Sequence, residues 1–294
     1  MLHSRLAAAA ALMLVVWSSA ALAQDPPEGV WTLEGFSRPE SVYYDATSKT
    51  LFVSNLVGSG AEKDGEGWIS KVSTDGKLIE LKWVQGLNAP KGLRSHDGVL
   101  WVSDIDRLVS IDIASGKIRE TIEVADAEGL NDVAIAGDGT VYVSDKPGNK
   151  IFEVREGKVG VFAEGPQLES PNGLAMHGSQ LVVGGWGNEP ADKTSAVKPA
   201  GRLYALDRTT KERETITRQP VGNLDGIELD GSGGHFVSDW VAGQVYRISA
   251  GGQADVVLSG FKGAADIGVV PEKELLIVPQ MLEDRITAYD IGSL

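Results

Sequence analysis

The amino-acid sequence predicts an all-β fold, a six-bladed β-propeller, and three observations support that prediction. First, a short unit recurs six times, in which one residue, here called the anchor, introduces a strand that a tight turn joins to a second strand. The anchors fall at positions 40, 91, 131, 172, 225 and 265. Second, a repeat of about forty residues is the length of one four-stranded blade. Third, no window of a dozen residues shows the period of a helix.

The N-terminal segment stands apart from the repeats. Arg5 is its only formal charge, an Ala/Leu/Met/Val run follows, and Ala21-Leu22-Ala23 has the form of a cleavage site. This pattern predicts a secretory signal peptide over residues 1–23 rather than a membrane anchor, because the apolar core is short. We therefore expect a single propeller domain over residues 24–294, exported to the periplasm or secreted from a bacterial cell.

Each repeat supplies the strands of one blade in order. Pairs such as Asp138-Gly139 and Asp230-Gly231 separate short apolar runs and indicate tight hairpin turns, in which glycine accepts a positive φ. A third and a fourth strand follow in each repeat, for example over 244–248 and 254–258 in the fifth. The sixth repeat ends after its third strand, so we predict that Trp31 to Glu34 completes the last blade and closes the ring.

Composition and charge exclude several classes of function. The formal net charge is −14 and there is no basic run, so we expect no nucleic-acid partner, because such a surface repels phosphate backbones. The absence of cysteine excludes disulfides, a thiolate metal site and a cysteine nucleophile. No segment after the signal peptide is apolar over a membrane-spanning length. We expect a monomer whose stability comes from its core.

Strand parity places all six anchors at one end of the central channel. The four antiparallel strands of a blade reverse direction at each turn, so the loop entering the first strand and the loop after the second open on the same face. Both insertions in the repeats, 56–67 and 185–201, follow a second strand, and long loops beside a site favour function. His96, His177 and His235 are expected on the opposite face, which argues against a catalytic histidine.

Four of the anchors carry side-chain oxygens that can bind a cation. They are Glu40, Asn131, Asn172 and Asp225. Carboxylate and amide oxygens suit a hard divalent ion, with no imidazole or thiolate to favour zinc. Each residue taken alone is better explained as a turn former or a capped strand end. Their common register indicates a metal or ligand site at the mouth of the channel.

These anchors lie in four motifs, Glu40-Ser41-Val42, Leu130-Asn131-Asp132, Pro171-Asn172-Gly173-Leu174 and Leu224-Asp225-Gly226-Ile227. In this form the repeats resemble the senescence marker protein, gluconolactonase and luciferin-regenerating-enzyme family of six-bladed propellers. The resemblance implies that Glu40, Asn172 and Asp225 hold one divalent metal, with calcium expected first and zinc, manganese or magnesium as alternatives. It also implies that Asn131 contacts substrate or water.

Two positions depart from the pattern of that family. Lactonase members often carry an arginine two residues before the asparagine of the third repeat, where this chain has Gly129. The second anchor is Lys91, for which we consider pairing with Asp132 or Asp266 or contact with an anionic ligand. Asp132 and Asp266 align with each other in the repeats. We consider both as acceptors for backbone donors of a neighbouring blade, and Asp266 alternatively as a substrate contact.

The parts of the site suggest a hydrolytic mechanism. A divalent metal polarises a lactone or ester carbonyl and lowers the pKa of water. Asp225 is then placed to act as general base, and Asn131 to orient the carbonyl or the developing oxyanion. Trp186 and Trp240 follow second strands on the same face, where they either stack on a flat ligand or pack between blades.

Three functions remain compatible with this fold. The first is an exported, metal-dependent lactonase-like hydrolase acting on a small lactone or ester. The second is a non-catalytic propeller, similar to the NHL-repeat group, that binds a partner or small ligand at the acidic mouth. The third is a condensing enzyme similar to strictosidine synthase, for which the residues offer little support.

Overall fold

The computed structural model describes residues 28–189 and 199–294, which form six antiparallel four-stranded sheets. The predicted signal peptide and residues 190–198 of the second insertion lie outside this part of the chain. Within the described residues the only helices are four short 3-10 turns, at Pro166–Leu168, Pro271–Lys273, Met281–Glu283 and Ile291–Ser293. None of these turns approaches the length or apolarity that a membrane-crossing helix requires. The all-β prediction and the six-bladed propeller are confirmed.

The first three blades each contain four strands that are consecutive in the chain. Blade one consists of β2 (Pro39–Asp45), β3 (Thr50–Asn55), β4 (Gly67–Ser73) and β5 (Leu78–Leu87). Blade two consists of β6 (Pro90–His96), β7 (Val99–Asp104), β8 (Arg107–Asp112) and β9 (Ile118–Glu123). Blade three consists of β10 (Leu130–Ile135), β11 (Val141–Asp145), β12 (Lys150–Arg155) and β13 (Lys158–Glu164).

The last three blades follow the same plan until the sixth. Blade four consists of β14 (Pro171–His177), β15 (Gln180–Gly185), β16 (Leu203–Asp207) and β17 (Arg213–Thr215). Blade five consists of β18 (Leu224–Leu229), β19 (His235–Asp239), β20 (Gln244–Ile248) and β21 (Ala254–Ser259). Blade six consists of β22 (Gly268–Val270), β23 (Leu275–Gln280), β24 (Arg285–Asp290) and the N-terminal strand β1 (Trp31–Glu34).

The ring closes as the sequence predicts. β1 pairs antiparallel with β24, from Trp31 opposite Ala288 to Glu34 opposite Arg285. One blade therefore contains both ends of the described chain, and no sheet is left with an unfilled outer position. The outer strand β17 has only three residues, because the amide N–H groups of Ile216 and Thr217 both donate to the carbonyl of Leu203 and leave the ladder.

The core lies between adjacent blades. In the cluster that joins blades six and one, Val42 and Leu51 pack with Ile277 and Ile286, all of them fully buried. Burying a side chain of this size contributes about 2 kcal/mol. Similar clusters fill the other blade interfaces, so the ring is stabilised by contacts between residues about forty apart in sequence.

The serine of the recurring Val-Ser-Asp motif connects neighbouring blades near the channel. The Ser144 hydroxyl accepts from the amide of Asp132 at 2.9 Å and donates to the carbonyl of Asn172, in the next blade, at 2.6 Å. The Ser238 hydroxyl likewise donates to the carbonyl of Ala265 at 2.7 Å, and Ser103 donates to the carbonyl of Asn131. These bonds fix the first strand of one blade against the next.

Candidate metal and substrate site

The anchors lie at breaks in the pairing of the first and second strands. In blade one, Pro39 faces Asn55 and Val42 faces Val53, so that two residues between them are out of register. The same shift occurs in blades two to five. An irregularity of this kind bends a strand and redirects its side chains. It therefore explains how side chains from separate blades come to face one channel mouth.

A cavity of about 280 Å³ occupies this mouth. Its lining residues are Arg38, Glu40, Leu56, Ser59, Gly60, Lys91, Asn131, Lys146, Trp186, Asp225, Trp240 and Met281. The structure thus brings together six of the eight residues selected from the sequence. Asn172 and Asp266 do not line the cavity, and both are almost fully buried.

Glu40 and Asp225 are the two carboxylates of the cavity, and both are buried. Burial raises the pKa of Glu40 well above its ordinary value, and the neighbouring charge of Asp225 raises it further. Burial likewise raises the pKa of Asp225 to about 7, an effect that the Lys146 ammonium partly offsets. Two desolvated carboxylates in mutual repulsion are stabilised by a bound cation.

Asn172 is fully buried and contacts Asp225, which lines the cavity. Its amide nitrogen donates to the carbonyl of Leu224 at 3.2 Å, and the side chain is close enough to Asp225 to lower the pKa of that carboxyl. The next residue must be glycine, because a Cβ at Gly173 would lie 1.7 Å from the carbonyl oxygen of Asp225. The Asn-Gly pair thus allows blades four and five to approach each other at the site.

The donor set fits a divalent cation. Glu40 Oε2 and Asn172 Oδ1 are buried without a hydrogen-bond partner, which is unusual for carboxylate and amide oxygens unless a ligand takes the place of the missing donor. Oxygen ligands of this type suit calcium, magnesium or manganese. Among the described residues no group of three or more His, Cys, Asp or Glu side chains could hold a metal. Such a centre here would therefore depend on the amide oxygen as well as the two carboxylates.

Asp132 and Asp266 lie deeper in the channel and connect blades. Asp132 Oδ2 accepts from the amide of Leu174 in blade four at 2.7 Å, and Asp266 Oδ2 accepts from the Ser41 hydroxyl of blade one at 2.5 Å. Each aspartate packs against a glycine of the preceding blade, where a Cβ would lie 2.6 Å from an Oδ1 atom. Their position away from the cavity favours the structural interpretation over a substrate contact.

Lys91 pairs with neither aspartate. Its ammonium donates to the carbonyl of Leu130 at 3.3 Å and faces the cavity. Of the expectations for this residue, pairing with Asp132 or Asp266 is not observed, and contact with an anionic ligand is the one its position allows. At the other departure, a Cβ at Gly129 would lie 3.1 Å from the Pro147 ring, a close contact with a side chain.

Trp186 and Trp240 face each other across the cavity wall. Their ring centroids are 6.2 Å apart and inclined by 45°, and Trp240 Nε1 donates to the sulfur of Met281 at 3.4 Å. The Lys146 ammonium lies 3.7 Å from the Trp186 ring centroid, in a cation–π contact. One face of Trp186 is therefore already covered by a cation.

Several lining residues were missed from the sequence, although a signal for them exists. Three of them, Leu56, Lys146 and Met281, occupy the position directly after a second strand, which Trp186 and Trp240 occupy in blades four and five. The equivalent residue of blade two, Ile105, packs against the same group. Extending the repeat alignment by one residue past each second strand identifies this upper ring. Arg38 precedes the first anchor strand, and no repeat pattern indicates it.

Comparison with known proteins supports the fold but establishes no family and no activity for this chain. No family model matches the chain, and no curated protein matches it in sequence. Among solved structures, a gluconolactonase from Xanthomonas campestris is similar with a TM-score of 0.65 and 16% identity, over 88% of this chain and 87% of that one. A putative gluconolactonase from a structural genomics programme aligns with a TM-score of 0.62 and 18% identity, over 90% and 91% of the two chains.

A virginiamycin B lyase from Staphylococcus aureus, solved with quinupristin, is also similar. Its TM-score is 0.57 and its identity 15%, over 88% of this chain and 97% of the lyase. The resemblance to gluconolactonase-like propellers predicted from the sequence is thus confirmed in fold. At 15% to 18% identity these similarities establish that the chain shares the six-bladed propeller architecture of the gluconolactonases and of the virginiamycin B lyase.

Proposed function

We propose that the protein is a metal-dependent hydrolase that opens a small lactone or ester in the channel mouth. The observation that carries this proposal is the pair of unpartnered buried oxygens, on Glu40 and Asn172, beside the buried carboxylate of Asp225. The gluconolactonase structures of the same fold support it by analogy.

The chain's own residues have distinct roles in this reaction. Glu40, Asn172 and Asp225 would hold the cation, which when bound supplies Lewis acidity to the carbonyl and to water. Asp225 accepts the proton of the attacking water, because a carboxylate beside the cation faces the water that the cation would bind. Asn131, which lines the cavity, donates its amide N–H to the carbonyl oxygen and stabilises the negative charge that develops there.

A lyase reaction has less support. The lyase structure is of a catalytically inactive histidine-to-alanine variant, whereas none of the residues that line the described cavity is a histidine. His177 and His235 instead pair with each other, with Nδ1 and Nε2 3.3 Å apart, at the ends of β14 and β19 that point away from the mouth.

Metal analysis and a chelation series test the proposal. Protein as purified should contain about one divalent ion per chain, and chelated protein should lose hydrolysis of a small lactone panel and regain it with calcium, manganese or zinc. Glu40→Gln should abolish both metal retention and turnover, whereas Glu128→Gln, an exposed glutamate entering blade three, should change neither. Full activity after chelation contradicts the proposal. Tight ligand binding without turnover, unaffected by Glu40→Gln, would favour a non-catalytic binding propeller instead.

A further inference from the structure

Positively charged side chains outnumber negatively charged ones in the cavity, whereas the whole chain carries an excess of negative charge. The chain carries a formal net charge of −14, yet the charged residues lining the cavity are three cations, Arg38, Lys91 and Lys146, against the two carboxylates. None of the three cations forms an ion pair within the described part of the chain. A bound divalent ion would make the cavity more positive still.

Lys146 is the single charged member of the upper ring. The equivalent residues of the other blades are Leu56, Ile105, Trp186, Trp240 and Met281. Its ammonium is held against the Trp186 ring at 3.7 Å, which fixes its direction without neutralising it. Burial lowers the pKa of Lys146, as expected for a cation whose water has been partly removed.

Lys91 approaches the same space from the anchor ring. Its only hydrogen bond in the described structure is to a neutral carbonyl, that of Leu130. The Lys146 ammonium is near both the Asp225 carboxylate, which raises its pKa, and Lys91, which lowers it. Two like charges in one partly dehydrated cavity repel each other, and an anion between them removes that repulsion.

We propose that Lys91 and Lys146 form an anion subsite, and that the substrate is a lactone or ester that carries its own carboxylate. The inference rests on the proposed hydrolysis for the reacting group, but the subsite itself depends only on the two ammonium groups. The apolar members of the upper ring then contact the uncharged part of the substrate, and the carboxylate lies on the side of blades two and three.

A matched pair of substrates tests the proposal directly. The five-membered lactone of glucaric acid carries a free carboxylate, whereas the matching lactone of gluconic acid has a hydroxymethyl group at that position. We expect kcat/KM of the wild-type protein to favour the glucaric lactone by about tenfold or more, as a charge-assisted hydrogen bond implies. Lys146→Met and Lys91→Met should each remove most of that preference, mainly through KM, while Lys146→Arg retains it.

The control is Lys158→Met, which removes an exposed lysine of the same blade at the start of β13, on the opposite face. It should leave the preference unchanged. Equal kcat/KM for the two lactones in the wild-type protein, or an equal loss with both substrates in Lys146→Met, overturns the proposal. Strong inhibition by gluconate that is lost in Lys146→Met, with equal kcat/KM for the two lactones, also overturns the proposal. The subsite would then bind the carboxylate of the product rather than one carried by the substrate.

Calorimetric binding of glucarate separates this proposal from the proposed hydrolysis. If the protein hydrolyses neither lactone yet binds glucarate about tenfold more tightly than Lys146→Met does, the anion subsite stands and the hydrolase proposal fails. If both lactones are hydrolysed and glucarate binds the wild type and Lys146→Met alike, the hydrolase proposal stands and the subsite fails. Equal urea midpoints for the wild type and the lysine variants show that folding does not cause the difference.

Discussion

Two groups of acidic residues lie side by side in this propeller and differ in what satisfies their oxygens. Asp104, Asp145 and Asp239 end second strands, and backbone amides donate to their carboxylates at 2.7 to 3.2 Å. Glu40 and Asp225 belong to the anchors and are similarly buried, but Glu40 keeps an oxygen without any partner. Both groups recur with the repeat, so recurrence alone does not distinguish a scaffold residue from a site residue.

The difference lies in the hydrogen-bond donors nearby. At Asp104 and Asp145 the donors include amide N–H groups of the loop that enters a first strand, and at Asp239 they are those of Val241 and Ala242 after the second strand. The Arg107 guanidinium adds donors to Asp104 at 2.7 and 2.9 Å. Glu40 and Asp225 instead line the cavity, where few protein donors are available. A buried carboxylate whose oxygens accept hydrogen bonds from the protein contributes to stability. One with an oxygen that accepts none costs stability and favours binding of a ligand.

The largest expected effect is on activity. Asp225→Asn removes the proposed general base and a cation ligand, so we expect hydrolysis to fall by about a hundredfold to ten-thousandfold. Its stability should stay the same or rise when chelated, because the substitution removes a desolvated negative charge. Steady-state kinetics and urea unfolding of one preparation measure both. A loss of stability with activity retained would place Asp225 with the scaffold acids.

A substitution among the strand-end aspartates should lower stability and leave the rate of hydrolysis unchanged. Asp104→Ala leaves the amides of Asn88 and Ala89 without their acceptor and the Arg107 guanidinium without its partner, at a cost of about 3 kcal/mol. The urea midpoint should fall accordingly, while kcat of the folded protein should be nearly unchanged. An Asp104→Ala protein as stable as wild type would show that these bonds contribute nothing beyond those to water.

The close approach of blades four and five gives a third test. Gly173→Ala places a Cβ on the carbonyl oxygen of Asp225, and neither backbone can move without disturbing the site, so we expect a loss of about 2 kcal/mol together with weaker metal binding. Gly137→Ala is the matched control, since its Cβ would meet nothing within 4 Å and its φ is not positive. Thermal unfolding of both variants measures the difference.

The smallest expected effect concerns a buried histidine nitrogen that lacks a hydrogen-bond partner and lies away from the channel mouth. His235 Nδ1 also lacks a partner, and burial lowers the pKa of this histidine to about 4. The unfolded chain therefore binds a proton more readily than the folded one, and stability from this residue is complete above about pH 6.5 and declines towards pH 4. We expect about 1.5 kcal/mol to be lost between about pH 7 and pH 5.

Urea unfolding at a series of pH values, compared with His235→Gln, isolates this contribution. The variant should show a flatter dependence over the same interval. A parallel dependence in the two proteins would mean that other groups account for it. The result also sharpens the comparison above, because the unpartnered atom of His235 is not among the residues that line the cavity at the mouth and so marks a cost in stability.

The strands and the closure of the ring could be predicted because they depend on short-range patterns. Alternating apolar residues, Asp-Gly turns and a repeat of about forty residues recur in the sequence itself, and a sixth repeat lacking one strand required Trp31 to Glu34 as its partner. The register of the anchors followed from the same periodicity. It predicts that Glu40, Asn131 and Asp225 share one mouth, and all three line the cavity there.

The sequence by itself therefore determined the fold, the end of the channel that carries the candidate site and half of the residues that line its cavity. Only the tertiary structure decided which acids are satisfied, that Lys91 faces the cavity rather than an aspartate, and that Lys146 is held over Trp186. The physical reason is that hydrogen-bond satisfaction and burial depend on atoms of other blades, about forty residues away, whose distances no local pattern contains.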